Sequence, residues 1–236
     1  MSVEDWKIAA AEAAAKLVRA GTVVGLGSGT TVAEVVGAIA RLRPKATFVP
    51  ASSSTEKLAK KLGLKLDSLN NHDKLDLAID GADEVDPKFN MIKGHGGAHT
   101  REKLVAAAAK RLVIVVDSTK LVLRIGERSP VPVEVLPFAV GYAERELLAL
   151  GGHPKLRAVA GQKPFVTDNG NYILDVKFHR ISDPEKLELE INKILGVVEN
   201  GIFVGMADEV LVGHEGGCAR LKSRRDFLQF MRKTKA

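Results

Sequence analysis

Short apolar segments alternate with amphipathic helical segments through the first half of the chain. Residues 112–116 are an uninterrupted run of leucine, valine and isoleucine, and residues 31–43 repeat apolar side chains at helical spacing before Pro44. Strands that are buried on both faces of a parallel sheet have such continuous apolar runs, because helices cover both sides. The alternation therefore predicts an α/β fold, with a parallel sheet covered by helices on both faces.

The predicted elements alternate up to residue 116, and the pattern changes near residue 127, where prolines become frequent. We predict helices at 3–19, 31–43, 54–62, 101–110, 139–150 and 184–195, and strands at 22–27, 46–50, 75–79, 112–116, 156–159, 197–202 and 206–213, with a boundary where Pro130, Pro132 and Pro137 bracket residues 131–136. A tight turn at residues 168–171 is expected to close a hairpin. This order predicts a small split βαβ module inserted into the main domain. We expect the main domain at 1–126 and 205–236 and the small domain at 127–204.

The composition is typical of a globular protein and excludes several other classes. The 236 residues are 45% hydrophobic and 27% charged, so wholesale disorder is not expected. The apolar runs reach about a third of the length that a membrane-spanning helix needs. The single cysteine, Cys218, excludes an internal disulfide and a cysteine-based zinc site. Glu4 and Asp5 precede any apolar stretch, so we expect a cytoplasmic protein without a signal peptide.

The net charge of +6 is concentrated at one end of the chain. Residues 220–236 contain seven lysines and arginines and one aspartate, which accounts for the whole net charge. Such a segment can contact phosphate polymers, but it is more often the solvated end of a helix. We therefore do not expect a nucleic-acid partner.

A glycine-rich turn at residues 25–31 joins a predicted strand to a predicted helix. Free amides and the helix dipole at such a helix start favour an anion, so Ser28 to Thr31 could bind a phosphate or a carboxylate. The glycine spacing fails the dinucleotide pattern G-x-G-x-x-G, and no lysine stands at the P-loop position. The alternative interpretation is a tight turn that needs glycine for steric reasons only.

An acidic segment, Asp80-Gly-Ala-Asp-Glu-Val-Asp86, follows the predicted strand at 75–79. Its position is the carboxyl edge of a parallel sheet, where open α/β folds bind ligands. Clustered carboxylates can bind a metal or transfer protons, although the spacing is not that of an EF-hand. The alternative is a solvated turn with aspartates that cap helices.

The densest segment in chemically active side chains is residues 93–103, which begins at Lys93 and leads into a predicted helix. Its glycines allow backbone amides to approach a ligand, Thr100 is the expected N-cap, and Glu102 falls in the first turn. His95 and His99 have the spacing of a helical metal pair. Two glycines between them argue against a helix there, and no third ligand is evident, so no metal is expected.

Seven segments together resemble the ribose-5-phosphate isomerase A family. They are the glycine turn at 25–31, D-G-A-D at 80–83, K-G-x-G-x-A-x-T-R-E-K at 93–103, D-S-T-K at 117–120, P-V-E-V at 132–135, L-G-G at 150–152 and T-D-N-G-N at 167–171. The resemblance covers roughly residues 1–215, and the second and third motifs are specific to the family. It implies a Rossmann-like parallel sheet with helices on both faces and a small inserted α+β domain of the split βαβ, ferredoxin-like type.

The resemblance also implies an activity, the interconversion of D-ribose 5-phosphate and D-ribulose 5-phosphate through an enediolate, a step of the non-oxidative pentose phosphate pathway. The resemblance implies that no cofactor and no metal are needed. It also implies a homodimer or a homotetramer. The implied catalytic residues are the base Glu102, the cation Lys93, and Asp80 and Asp83, which handle hydroxyl protons during ring opening. The implied substrate-binding residues are Ser28, Gly29, Thr30, Thr31, Gly81, Ala82, Gly94, His95, Gly96, Lys120 and Lys7.

Other functions on the same fold stay open from the sequence. An amino-sugar-phosphate deaminase or a CoA transferase is the enzymatic alternative, and a non-catalytic sugar-phosphate sensor is the alternative from another class. The environment of Glu102 poses its own conflict. A helix N-terminus and Lys93 lower its pKa, whereas burial raises it and suits a base that works near neutrality.

Overall fold

The computed structural model describes residues 2–160 and 162–234. The helices are α1 Val3–Ala15, α2 Thr30–Leu42, α3 Ser53–Lys61, α4 His99–Ala108, α5 Val140–Ala149, α6 Pro184–Asn192 and α7 Arg224–Thr234. The strands are β1 Val23–Leu26, β2 Thr47–Pro50, β3 Leu77–Asp80, β4 Glu84–Val85, β5 Met91–Ile92, β6 Leu112–Asp117, β7 Val131–Val135, β8 Gly152–Leu156, β9 Tyr172–Phe178, β10 Val197–Asn200, β11 Ile202–Phe203, β12 Glu209–His214 and β13 Gly217–Leu221. None of the described helices has the length and apolar character that crossing a membrane requires.

The largest sheet has six strands in the order β13-β12-β6-β3-β1-β2. Four of its strand pairs are parallel, and the edge strand β13 runs antiparallel to β12. Every residue of β3 and β6 is buried, as the continuous apolar run at 112–116 indicates. One apolar cluster packs α1, α2 and α3 on one face of the sheet, and a second packs α4 and α7 on the other. The predicted parallel sheet with helices on both faces is therefore confirmed.

A second sheet contains four strands in the order β10-β7-β9-β8, all antiparallel. With α5 between β7 and β8 and α6 between β9 and β10, it has the expected β-α-β-β-α-β sequence. Two boundaries differ from prediction. The strand predicted at 156–159 is β8, which ends at Leu156. The turn at 168–171 precedes β9 but does not close the hairpin alone. Before it, Val159 N donates to Lys163 O and Phe165 N donates to Arg157 O, so the chain pairs with itself between β8 and this turn.

A small third sheet, β11-β5-β4, was not predicted. Its strands β4 and β5 lie between β3 and β6 in sequence, and β11 lies between β10 and β12. The single strand predicted at 197–202 is wrong, because Gly201 separates β10 from β11 and the two join different sheets. Gly201 accepts a hydrogen bond from Lys93 N at 2.9 Å, and a Cβ there would lie 2.1 Å from Lys93 O. This close approach requires glycine and fixes the backbone of Lys93 as it leaves β5.

The basic C-terminal segment ends in a helix whose lysines and arginines are exposed, and it also packs against the main sheet. Residues 217–221 form the antiparallel edge strand β13, and α7 buries Phe227 and Phe230 against the main sheet. Arg220 donates to Glu209 at 2.7 Å across the β12–β13 pair. Strand β13 and the buried face of α7 were not predicted, because two phenylalanines among many cations give a weak apolar signal.

Candidate active site

The predicted site residues converge at the carboxyl ends of β1, β3, β5 and β6. A cleft of about 100 Å³ opens there, between the first turns of α2 and α4. Its walls consist of Ser28, Gly29, Thr30, Thr31, Gly81, Ala82, Asp83, Lys93, Gly94, His95, Gly96, Glu102 and Lys120. Every one of these residues was singled out from the sequence, because parallel strands bring the loops that follow them to one edge of the sheet.

Asp80 lies beneath the cleft and does not line it. It is buried, and its carboxylate accepts hydrogen bonds from Gly81 N at 2.7 Å and Ser28 N at 3.2 Å. Gly27 makes this approach possible, since a Cβ at that position would lie 1.8 Å from Asp80 Oδ1. The glycine turn therefore has a steric role in addition to any ligand that it binds.

Lys93 is a buried cation between two buried carboxylates. Its ammonium lies 2.9 Å from Asp80 Oδ2 and 3.0 Å from Glu102 Oε2, and it donates to Gly81 O at 2.7 Å. The ring of Phe203 faces it, with the centroid 5.4 Å away. Burial lowers the pKa of Lys93, but the two carboxylates outweigh burial and raise it above its ordinary value, so the lysine stays charged.

Glu102 lies in the first turn of α4 and is buried. Ser28 Oγ donates a short hydrogen bond to Oε1, whereas Oε2 has the ion-pair contact with Lys93 but accepts no well-directed hydrogen bond from the described residues. Burial raises the pKa of Glu102, but the charge of Lys93 and the hydrogen bond from Ser28 together lower it by more, so the net shift of the pKa is downward. Burial therefore does not offset Lys93 at this carboxyl.

The pKa of Asp80 shifts the opposite way. Burial raises it first, the charge of Glu102 raises it further, and Lys93 opposes both, which leaves a pKa of about 7. The pKa values of the two carboxyls that flank Lys93 are therefore shifted in opposite directions. At neutral pH Glu102 is ionised and Asp80 is close to half-protonated. Such a divided pair is typical of sites that transfer protons.

The remaining predicted residues occupy different positions around the cleft. Asp83 is partly exposed, and its carboxylate accepts from His95 N at 2.9 Å. The imidazole of His95 is 70% exposed, with Nδ1 3.7 Å from Asp83 Oδ1. Lys7 is outside the cleft wall, with Nζ 3.3 Å from Glu4 and 3.5 Å from Thr30 Oγ1.

The two histidines of the 93–103 segment do not share a site. His99 is fully buried and its Nε2 lies 3.3 Å from Glu199 O, whereas His95 is at the mouth of the cleft. Burial lowers the pKa of His99 even though the charges of Glu134 and Glu102 raise it. Within residues 2–160 and 162–234, no three side chains of His, Cys, Asp or Glu form a group suited to a metal ion.

The prediction that Thr100 caps the helix at residue 101 is wrong. Helix α4 starts at His99, Ala98 is its N-cap, and no side chain caps it. The hydroxyl of Thr100 instead donates to Glu134 in β7. A capping hydroxyl accepts a backbone N–H, whereas here the hydroxyl donates to a carboxylate. Because α4 begins at His99, Thr100 lies inside the first turn and is not at the cap position.

Sequence reasoning missed three charged residues that hold the cleft from behind. Glu134 is fully buried beside α4, Arg157 donates to Gly94 O at 2.9 Å and His95 O at 3.0 Å, and Glu84 accepts three backbone amides of the segment that follows Lys120. A charged residue within the apolar strand at 131–135 is a signal, since buried charges require partners. The identity of those partners, from distant segments, is not visible in the sequence.

A wider groove of about 1230 Å³ lies at the amino ends of β1 and β2. Arg41, Arg43, Lys45 and Lys65 line it, and all four side chains are exposed. The smaller cleft, in contrast, adjoins buried ionisable groups with shifted pKa values, which cluster at functional sites. The smaller cleft is therefore the candidate active site.

Comparison with known proteins gives one consistent result. Residues 47–217 match the family model of ribose 5-phosphate isomerase A (phosphoriboisomerase A). The chain is 53% identical over 218 residues to ribose-5-phosphate isomerase A of Thermosynechococcus vestitus, covering 90% of this chain and 92% of that protein. It is 42% identical to the solved ribose 5-phosphate isomerase A from Methanocaldococcus jannaschii, with a TM-score of 0.89 and coverage of 94% and 100%. A D-ribose-5-phosphate isomerase solved with phospho-erythronic acid is 41% identical, with a TM-score of 0.91 and the same coverage.

Proposed function

Since the chain belongs to the ribose 5-phosphate isomerase A family, we propose that it interconverts D-ribose 5-phosphate and D-ribulose 5-phosphate. The observation that carries the proposal is the buried cluster of Glu102, Lys93 and Asp80 at the cleft. The reaction removes a proton from C2, beside the carbonyl, and returns one to C1. A fixed carboxylate next to a fixed cation supplies both requirements of that chemistry.

Glu102 is the proposed base. C1 and C2 are adjacent, so one carboxylate on one face of the substrate can take the proton from C2 and deliver it to C1. The lowered pKa keeps Glu102 ionised at neutral pH, in the form that accepts a proton. Glu102 lines the cleft, which places its carboxylate at the proposed substrate site.

Lys93 is the proposed electrostatic partner of the enediolate. Negative charge develops on the carbonyl oxygen as the proton leaves, and a preorganised buried cation stabilises it more than one in water does. The amides of Gly94 and Gly96 at the same wall are the further proposed donors, because those of His95 and Gly97 already bond to Asp83 and to Gly94 O. Arg157 supports this segment from outside by binding two of its carbonyl oxygens.

The two aspartates are assigned different tasks. Asp83 lines the cleft, so it is the residue that exchanges protons with the hydroxyl and the ring oxygen when the sugar opens. Asp80 lies below, with its pKa near 7, and acts on the substrate through Lys93 and through the turn at Ser28. This assignment follows from burial and contact, which the sequence could not distinguish.

The phosphate is assigned to the first turn of α2. No side chain caps this helix, so the amides of its first turn are free to bind an anion, and the hydroxyls of Ser28, Thr30 and Thr31 stand beside them. Lys120 reaches the same cleft from the segment after β6, and Lys7 contributes positive charge near Thr30. Holding the phosphate there positions the reacting carbons C1 and C2 of the substrate relative to Glu102.

We further propose that residues 1–126 and 205–236 form the catalytic domain and residues 127–204 the small domain. The separate antiparallel sheet of β7 to β10 supports this division. Assembly as a homodimer or homotetramer and a cytoplasmic location stay predictions from the sequence.

The test is Glu102→Gln, which preserves the shape of the side chain and removes the base. We expect the rate of ketose formation from ribose 5-phosphate to fall about 10²-fold or more, with binding of the sugar phosphate retained. In D₂O the unmodified protein should place deuterium at C1 of the ketose. Glu199→Gln is the matched control, since Glu199 lies 2.9 Å from Lys103 Nζ much as Glu102 pairs with Lys93, and its turnover should stay within a few-fold.

Three results would contradict the proposal. Equal turnover of both variants would leave Glu102 as a positioning residue and move the base to Asp80 or Asp83. Ammonia release from an amino-sugar phosphate, or a glutamyl-CoA adduct, would assign one of the other enzymatic activities. Binding of ribose 5-phosphate without turnover by the unmodified protein would indicate a sensor.

A further inference from the structure

Glu134 is a fully buried carboxylate in the otherwise apolar strand β7. Its Oε1 accepts hydrogen bonds from Thr167 Oγ1 at 2.9 Å, Asn171 Nδ2 at 2.8 Å and Asn169 Nδ2 at 3.1 Å. Its Oε2 accepts the hydroxyl of Thr100. Burial raises the pKa of Glu134, but the four donors together lower it by more, so the carboxyl is ionised. An ionised carboxylate accepts only, which matches a ring of donors.

The donors join two different parts of the molecule. Thr167, Asn169 and Asn171 belong to the turn before β9, whereas Thr100 belongs to the first turn of α4. A second connection runs parallel to the first, because Arg101 donates to Asn169 Oδ1 and to Asp168 O, both at 2.7 Å. The turn at 167–171 therefore contacts α4 through Glu134 and through Arg101.

Helix α4 needs such an external support. Its N-cap is Ala98, which offers no side-chain acceptor, so the first turn lacks the hydrogen bond that usually fixes a helix start. That turn contains Glu102, two residues after Thr100, and the contacts of Glu102 with Ser28 Oγ and Lys93 Nζ depend on its placement. A displacement of Thr100 moves Glu102 with it.

We propose that Glu134 is a positioning residue for Glu102, acting through the hydroxyl of Thr100 to hold the first turn of α4 against the cleft. The proposal rests on the function proposed above, in which Glu102 moves the proton. Glu134 touches no substrate and lies outside the cleft wall. Its negative charge beside the start of α4 also complements the helix dipole.

A merely structural role for Glu134 gives a different expectation, and two single variants separate the two. Thr100→Val removes the donor to Oε2 on α4, and Asn171→Ala removes a donor to Oε1 on the turn, so each leaves the same buried carboxylate one bond short. Both should lower the melting temperature by a similar amount, roughly 3–10 °C. Under a structural role, both should change turnover equally.

Under the positioning role, only Thr100→Val impairs the reaction. We expect its kcat for ribose 5-phosphate to fall about 10-fold or more with KM within about two-fold, because the phosphate site on α2 is untouched. Thr100→Ser, which retains the hydroxyl, should restore kcat, and Asn171→Ala should stay within about two-fold of the unmodified protein. Hydrogen–deuterium exchange of residues 99–105 should accelerate in Thr100→Val and not in Asn171→Ala.

The outcomes separate this proposal from the proposed function. Equal losses of kcat in Thr100→Val and Asn171→Ala, or no restoration by serine, would overturn the positioning role while the isomerase activity stands. Absence of isomerisation by the unmodified protein would overturn the function. In that case the exchange measurement still decides, since unchanged exchange at 99–105 in Thr100→Val would refute the support of α4.

Discussion

Replacing Lys93 by methionine removes the cation that lies between Asp80 and Glu102 and retains a side chain of similar length. All three groups are buried, with side-chain exposures of 4%, 4% and 5%. At an effective dielectric constant of about 20, two charges about 3 Å apart attract by roughly 5 kcal/mol. Desolvation offsets much of that attraction, and removing one partner of a buried ion pair costs about 3–5 kcal/mol. We expect that loss of unfolding free energy at pH 8.

The loss should depend on pH, and its direction follows from the carboxyls left behind. Without the cation, Asp80 and Glu102 repel each other, and one of them keeps a proton at neutral pH in the folded protein. The unfolded chain releases that proton above about pH 4. A folded pKa above the unfolded pKa gives stability that is lost as pH rises. The unmodified protein shares this decline through Asp80 up to its pKa of about 7, so the extra loss in Lys93→Met should be smallest near pH 5 and grow most between pH 7 and 8.

Lys103→Met is the matched control. Lys103 lies 2.7 Å from Glu188 and 2.9 Å from Glu199, and the ring of Phe203 faces it at 4.9 Å, much as it faces Lys93. Its carboxylates are about a fifth exposed, at 20% and 22%, so water solvates them after the lysine is removed. The loss should be smaller and flat between pH 5 and 8.

Urea unfolding of the two variants and the unmodified protein at pH 5, 6, 7 and 8 measures these losses, and ketose formation from ribose 5-phosphate measures the site. Lys93→Met should also lose turnover by about 10²-fold, whereas Lys103→Met should remain within a few-fold. Parallel pH profiles for the two variants would refute the reasoning that Lys93 separates two buried carboxylates.

Two further predictions concern Asp80 and the C-terminal helix. The folded pKa of Asp80, about 7, lies above its ordinary value of 3.8, so the contribution of Asp80 to stability declines as pH rises between these values. The unfolding free energy of the unmodified protein minus that of Asp80→Asn should therefore fall by about 1 kcal/mol per pH unit from pH 5 to 7. A difference that does not change with pH would contradict this prediction. Phe227→Ala should lower the unfolding free energy by about 3–5 kcal/mol and exposed Arg225→Ala by less than about 0.5 kcal/mol, as measured in urea, whereas equal effects would show that α7 is not part of the core.

The α/β alternation was predictable because buried parallel strands are continuous apolar runs, as at residues 112–116, and the cleft residues were predictable because they follow such strands. The two-residue strands β4, β5 and β11 have no periodicity to detect. The β11–β5 pair adjoins the close backbone contact that Gly201 permits with Lys93, which is 108 positions earlier in the printed sequence. Pairings of this kind depend on the folded topology and not on local pattern.

The start of α4 shows the same limit at the level of one side chain. The spacing of Thr100 and the helix predicted at 101 favoured a local cap, and local geometry alone gave no reason to choose otherwise. In the folded protein Glu134 offers a charged acceptor to the same hydroxyl. That acceptor is 34 positions away in sequence, and its burial in β7 is what makes the contact strong.

The downward shift of the Glu102 pKa weakens it as a base, yet the same cation limits the cost of that weakness. In the proposed reaction, proton transfer moves one negative charge from the carboxylate of Glu102 to the substrate oxygen. Lys93 lies 3.0 Å from the carboxylate before the transfer, and the proposed mechanism places the enediolate oxygen beside the same ammonium afterwards. The number of buried charges around Lys93 is then unchanged by the step, so little reorganisation energy is required. A site that raised the pKa of Glu102 by removing Lys93 would gain basicity and lose the stabilisation of the product of the transfer, which is why turnover should fall in Lys93→Met.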